Sequence, residues 1–165
     1  MKNKTDLRII KTKNNLYLSL INLLKTKTFE EIKVSDICKE SLINRSTFYA
    51  HFEDKYELMA SLINDLKKEL ESELDKIEKD LTTKEYYLEM IKIFLDHIEG
   101  KEDIYKSIMI NNKNSIIMDM IYDTISNDLN NKIKSDRIDI PTDIVSSFYI
   151  AAVVNVGIEW LKNDK

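Results

Sequence analysis

A chain of 165 residues, 43% hydrophobic and 33% charged, can build one or two small packed units and is too well balanced for wholesale disorder. Its net charge of −4 hides a split: up to Leu58 there are 11 Lys+Arg against 8 Asp+Glu, and beyond it 14 against 21. A polyanion would therefore meet the front of the chain. Two glycines and one proline leave few turns and predict long helices. The single cysteine, Cys38, excludes an internal disulfide and suits a reducing compartment. The N-terminal MKNKTDLRII does not read as a signal peptide, and no run approaches the roughly 20 apolar residues of a bilayer span. A cytoplasmic chain with no membrane partner is the expectation.

Over residues 7–26, Ile9, Ile10, Leu16, Leu20, Leu23 and Leu24 fall near helical spacing, which predicts an amphipathic first helix. Phe29, Ile32 and Val34 follow in a connector, and Ser35 is a candidate N-cap for a short second helix. Leu42 and Ile43 form a turn, and Asn44 is a good N-cap for a third helix. In that helix Phe48 and Phe52 share one face at i, i+4 and can lock onto the first two helices. Arg45, Ser46, Thr47, Tyr49, Ala50 and His51 cover the rest of the circumference. So short a helix cannot stand alone in water. Anchored by two rings, it presents hydrogen-bonding groups outward with a small residue for close approach, which suits a helix entering the DNA major groove.

Asp54, with Glu57 three residues on, predicts a capped start to a fourth helix. Lys55 lies in its first turn, where a cation opposes the helix dipole; a phosphate at that helix end would make it sensible. Leucines and isoleucines from Met59 to Leu81 step by three or four and extend this helix to about residue 80. Thr82-Thr-Lys-Glu85 is a second capping box, opening a helix that stops at Gly100. Further helices are predicted over 102–110, 114–134 and from Pro141 to about Lys162, with SDRIDIP as a loop. Phe148–Ile158 is apolar nearly all round and reads as buried on two sides, by the core and by a partner subunit, with Val153 and Val156 as candidate interface residues. Tyr87, Phe94, His97, Tyr105, Met109, Tyr122 and Tyr149 could line an effector pocket, although a helical core would use the same residue types.

The segment FEEIKVSDICKESLINRSTFYAHFEDKYEL resembles the DNA-binding domain of the TetR family of bacterial transcriptional regulators. The resemblance rests on the polar turn Asn44-Arg45-Ser46-Thr47, the pair Phe48-Tyr49, then His51-Phe52 and Lys55 before Leu58. It implies an all-α protein with a three-helix helix-turn-helix head (1–53), joined by a long helix to a helical effector-binding and dimerisation domain (54–165). It also implies a cytoplasmic homodimer on a palindromic double-stranded operator, usually a repressor, released by a small-molecule effector and needing no cofactor. Carried over by position, Arg45, Ser46, Thr47 and Ala50 face the groove; Tyr49, His51 and Lys55 contact phosphates. The family often has Ala-Gly in the turn, where this chain has Ser41-Leu42; a left-handed bend there would strain the leucine by about 1 kcal/mol.

Two other classes compete. An enzyme would need a phosphate loop, a nucleophile–base set or metal-spaced ligands, and none is visible, so neither catalysis nor a metal is expected. A TetR-like coactivator or adaptor working through protein contacts would not need the intact set from Arg45 to Lys55.

Overall fold

The computed structural model describes residues 4–78, 80–133 and 140–163. Every element within them is helical: α1 (Lys4–Leu24), α2 (Val34–Ser41), α3 (Arg45–Tyr49), α4 (Lys55–Leu74), α5 (Thr83–Glu99), α6 (Glu102–Tyr105), a π-helical turn (Lys106–Ile110), α7 (Ile116–Ile133) and α8 (Thr142–Lys162). The all-α reading therefore stands. One hydrophobic core runs from the first three helices into the rest, including Leu16, Phe29, Phe48, Leu58, Ile98, Ile117 and Ile150.

α1 buries Leu16, Tyr17, Leu20, Ile21 and Leu24. Ile9 and Ile10, predicted on its apolar face, are exposed, Ile9 along an open groove and not against the core. Tyr17 buckles α1 to α4: its hydroxyl donates to Asp65 Oδ2 at 3.0 Å and lies 2.8 Å from Ser61 Oγ. Lys13 pairs with the same carboxylate at 2.9 Å.

The cap of α2 is Lys33, two residues before the expected Ser35. The Lys33 N–H donates to Asp36 Oδ2 at 3.2 Å; that backbone amide first, and Lys27 second, holds the Asp36 carboxyl below its ordinary range. Asn44 does sit at the N-cap of α3 in extended backbone, though its side chain makes no capping bond. At α4, Asp54 accepts from the Tyr56 and Glu57 amides, each at 2.8 Å, while Glu57 reaches back to the Glu53 amide.

α4 ends at Leu74, short of the expected residue 80. Its fully packed face stops at Leu66, and Leu70 and Leu74 are only half-buried. Beyond them the charged run has too little tertiary support to propagate a helix. The Thr82 box is as expected: Thr82 N–H donates to Glu85 Oε2 at 2.9 Å and Glu85 N–H to Thr82 Oγ1 at 3.4 Å. Most of SDRIDIP lies outside the described residues; Pro141 takes the N-cap of α8, just ahead of its first turn.

α8 buries Ser146, Ile150, Val154, Gly157 and Leu161. Its opposite side, with Ile144, Phe148, Ala151, Ala152, Asn155 and Val156, is exposed. Val153 instead turns inward to a cavity. α8 has 21 residues, and its most apolar 18-residue stretch has a mean hydropathy of 1.6, so it is long and apolar enough to cross a membrane by length and composition. That corrects the expectation that no stretch approaches such a length: its scattered Ser, Asn and Gly interrupt the apolar run without lowering the average much.

The bend between α2 and α3 carries the anticipated strain. Leu42 has φ 56° and ψ 30° and is 93% exposed. Ile43 N–H bonds Cys38 O at 3.0 Å and Leu42 N–H bonds Lys39 O at 3.4 Å, the Schellman pattern with leucine where glycine is usual. Leu42→Gly is expected to stabilise the fold by about 0.5–1 kcal/mol, since relief of the left-handed strain outweighs the extra unfolded-state entropy of glycine. Urea unfolding of the two proteins measures this, and a less stable glycine variant would contradict it.

Candidate nucleic-acid interface

α3 has only five residues, held by Phe48 and Phe52 beneath it. The rings stand 6.1 Å apart, and Tyr49 packs edge-on against Phe48 at 5.5 Å. With the rings turned inward, Arg45, Ser46, Thr47, Tyr49 and Ala50 are exposed and His51 is half-buried. Of the six predicted residues, Ser46, Thr47, Ala50 and His51 share one groove, and Arg45 and Tyr49 are exposed beside them. Asn15 Nδ2, from α1, donates to Ser41 O at 2.9 Å, which fixes the end of α2 and the turn that aims α3. Cys38 is buried, and burial pushes its thiol up despite nearby Arg45; it packs the head and is poorly reactive.

The start of α1 contributes residues that sequence reasoning missed. Arg8, Ile9 and Thr12 form one wall of a groove of about 330 Å³ whose other wall is Ser46, Thr47, Ala50 and His51. The signal in the sequence is the basic spacing Lys4, Arg8, Lys11 along one helix, obscured by the neighbouring isoleucines, whose spacing suggests a buried face.

Lys55 is a correction. Its ammonium donates to three carbonyls of the loop between α1 and α2: Phe29 O at 2.8 Å, Glu30 O at 3.0 Å and Ile32 O at 2.8 Å. It also lies over the Phe29 ring, 4.8 Å from the centroid. All three donors are used, so the puzzle of a cation at a helix start resolves as a clamp on the loop, and Lys55 is not poised for a phosphate.

The family comparisons agree with this geometry at both ends of the chain. Residues 20–62 match the family described as bacterial regulatory proteins, tetR family, and residues 85–165 match a transcriptional regulator C-terminal region. The chain belongs to the TetR family of transcriptional regulators. It is 45% identical over 53 residues to the HTH-type transcriptional regulator EthR of Mycolicibacterium smegmatis, an alignment covering 32% of this chain and 24% of that protein. A TetR transcriptional regulator from Streptococcus agalactiae superposes with TM-score 0.61 at 26% identity, covering 98% of this chain and 88% of that one. Lin0861 from Listeria innocua shares the fold, with TM-score 0.74, 20% identity and coverage of 100% and 86%.

In the rest of this TetR-family chain, three of the seven candidate pocket residues meet. Phe94, Tyr105 and Met109 line an apolar cavity of about 100 Å³, with Ile121, Ile125 and Val153 on its far side. Burial, then Glu69 and Glu73, raises the Tyr105 phenol well above its ordinary value. His97 does not line the cavity. It is buried, with Nδ1 3.1 Å from Glu73 Oε2, its ring edge-on to Tyr105, and Nε2 without a partner among the described residues. Its other side borders an open groove of about 930 Å³ between α5 and the end of α4. Tyr122 is half-buried and Tyr149 exposed, and neither lines the cavity; the side chain of Tyr87 lies outside the described residues.

Proposed function

We propose that this TetR-family regulator is a cytoplasmic, homodimeric, ligand-responsive repressor that reads a palindromic operator through α3. The observation that carries the reading is the outward polar face of α3, pinned from beneath by Phe48 and Phe52. The face has the residue types of major-groove readout: Arg45 suits the O6 and N7 of guanine, the Thr47 hydroxyl or methyl suits a base edge or thymine, and Ala50 leaves room for the backbone to approach. The exposed apolar stripe of α8 supports the dimer. The apolar cavity behind the π turn supports a small effector. At about 100 Å³ it is below the roughly 300–1,000 Å³ of ordinary ligand sites, so an effector of usual size would have to push its walls apart.

Selection of bound genomic fragments by the purified chain would supply the operator. Arg45→Ala is then expected to lose preference at one base pair per half-site, about 1–3 kcal/mol of discrimination, while keeping salt-sensitive general affinity for DNA. A binding selection on a randomised half-site reads this. If Arg45→Ala returns the parental sequence preference, Arg45 serves only as a backbone anchor. No DNA affinity even at low salt would favour the adaptor reading.

A further inference from the structure

We propose that Asn112 is the positioning residue through which the regulatory half sets the attitude of the DNA-reading head. Asn112 comes just after the π turn and is 3% exposed, yet three of its hydrogen bonds join three segments of backbone. Its Oδ1 accepts from Phe29 N–H at 2.9 Å, and its Nδ2 donates to Leu24 O at 3.3 Å and to Ser107 O at 2.8 Å. Leu24 ends α1, Phe29 lies in the loop leading to α2, and Ser107 belongs to the π turn. A buried amide bonded in this way has one orientation, and moving it strands partners that water cannot reach.

The loop it grips is held from the other side as well. Phe29 offers its N–H to Asn112 and its carbonyl to Lys55, so the regulatory half and the start of α4 clamp one residue between them. Two further links reach the same loop from the regulatory half: Glu30 Oε1 accepts from the Ile116 N–H at 3.1 Å, and Lys25 pairs with Asp103 at 2.7 Å. The α2–α3 unit hangs from the far end of this loop.

The cavity reaches the latch by a short path along the chain. Tyr105, Ile108 and Met109 are cavity wall, and Asn112 is three residues beyond Met109. The wall residues Ile108 and Met109 lie in the π-helical turn Lys106–Ile110, which closes i→i+5 where an α-helix closes i→i+4. Its return to α register would rotate the succeeding residues by about 100°, carrying Asn112 off the loop. The π turn is thus a two-state element with the cavity on one side and the head on the other. On this account, which rests on the ligand-responsive reading above, an effector acts on the head through Met109, Asn112 and Phe29.

The test is a double-mutant cycle in the full chain. Gly157→Ala perturbs the cavity wall without a ligand: the added Cβ would lie 3.1 Å from Ile98 Cδ1 and, on the wall itself, 3.3 Å from Met109 Cε and 3.4 Å from Phe94 Cζ. The readout is hydrogen exchange at the Ile37 and Phe48 amides in the head, whose own bonds, to Lys33 O and Asn44 O, do not involve Asn112. Gly157→Ala should shift their protection by about five-fold or more, and Asn112→Ala should remove most of that shift. Equal shifts in both backgrounds would make Asn112 merely structural and overturn the proposal. So would an unmoved head both in Gly157→Ala and in Val153→Phe, which fills the cavity directly. Asn112→Ser, polar but too short to join Leu24 to Phe29, replaces alanine if that variant does not fold. Affinity for the selected operator should show the same pattern. Coupled amides without DNA affinity would sink the repressor reading and leave the latch standing.

Discussion

Phe48→Ala is expected to cost about 3–5 kcal/mol of stability and to abolish specific DNA binding, the largest effect of any single substitution in the head. Phe48 is 0% exposed, and its ring is what converts five residues into a fixed helix. A helix of that length has no stability of its own, so losing the ring leaves a cavity and also frees the reading surface. The loss is a large fraction of the roughly 5–15 kcal/mol that holds a domain together. Urea unfolding followed by circular dichroism gives the stability change, and binding to the selected operator gives the functional one. Tyr49→Phe is the control: its side chain is half-exposed, so it should melt with the parent while binding all sequences more weakly. A Phe48→Ala protein that melts within about 1 kcal/mol of the parent would show that α3 is held by something other than this ring.

Phe148→Glu is expected to yield monomers and to weaken operator binding by about 100-fold or more, because two tethered heads gain that much from effective concentration. Phe148 is 75% exposed on α8, in line with Ile144, Ala151, Ala152 and Asn155. That stripe is an apolar face with no covering element among the described residues, and in the proposed homodimer a two-fold mate would present its own copy to it. A carboxylate placed in the middle would be buried unpaired on association. Val156→Glu, at the edge of the same face, should act in the same direction. Val153 cannot serve for this, since it points into the cavity. Sizing chromatography and operator titration measure both effects. Elution of Phe148→Glu as a dimer would move the interface to another surface.

The sequence by itself determined much of what depends on residues within about four positions of each other, the Lys33–Asp36 cap of α2 excepted. Helical periodicity, the caps at Asp54 and Thr82 and the pinned rings of α3 beneath a polar face are all of this kind. In each the partners are neighbours along one turn, so spacing and side-chain chemistry specify them. The left-handed leucine is legible only through the family resemblance, which puts glycine at that bend, and the structure shows the Schellman bonds that require it. Only the tertiary structure decided which groups meet across long stretches of chain. Lys55 has the sequence position of a phosphate ligand, but its three carbonyl partners lie 23 to 26 residues away, beyond what local spacing specifies. Asn112 carried no signal at all, since its partners Phe29 and Leu24 lie 83 and 88 residues back. α8 shows the same limit in apolar residues: its sequence is hydrophobic on every side, so no period distinguishes the face that meets Phe94 and Met109 from the one left open. Packing against α5 and α7 made that choice, because a helix apolar all round is oriented by its neighbours and not by its own pattern.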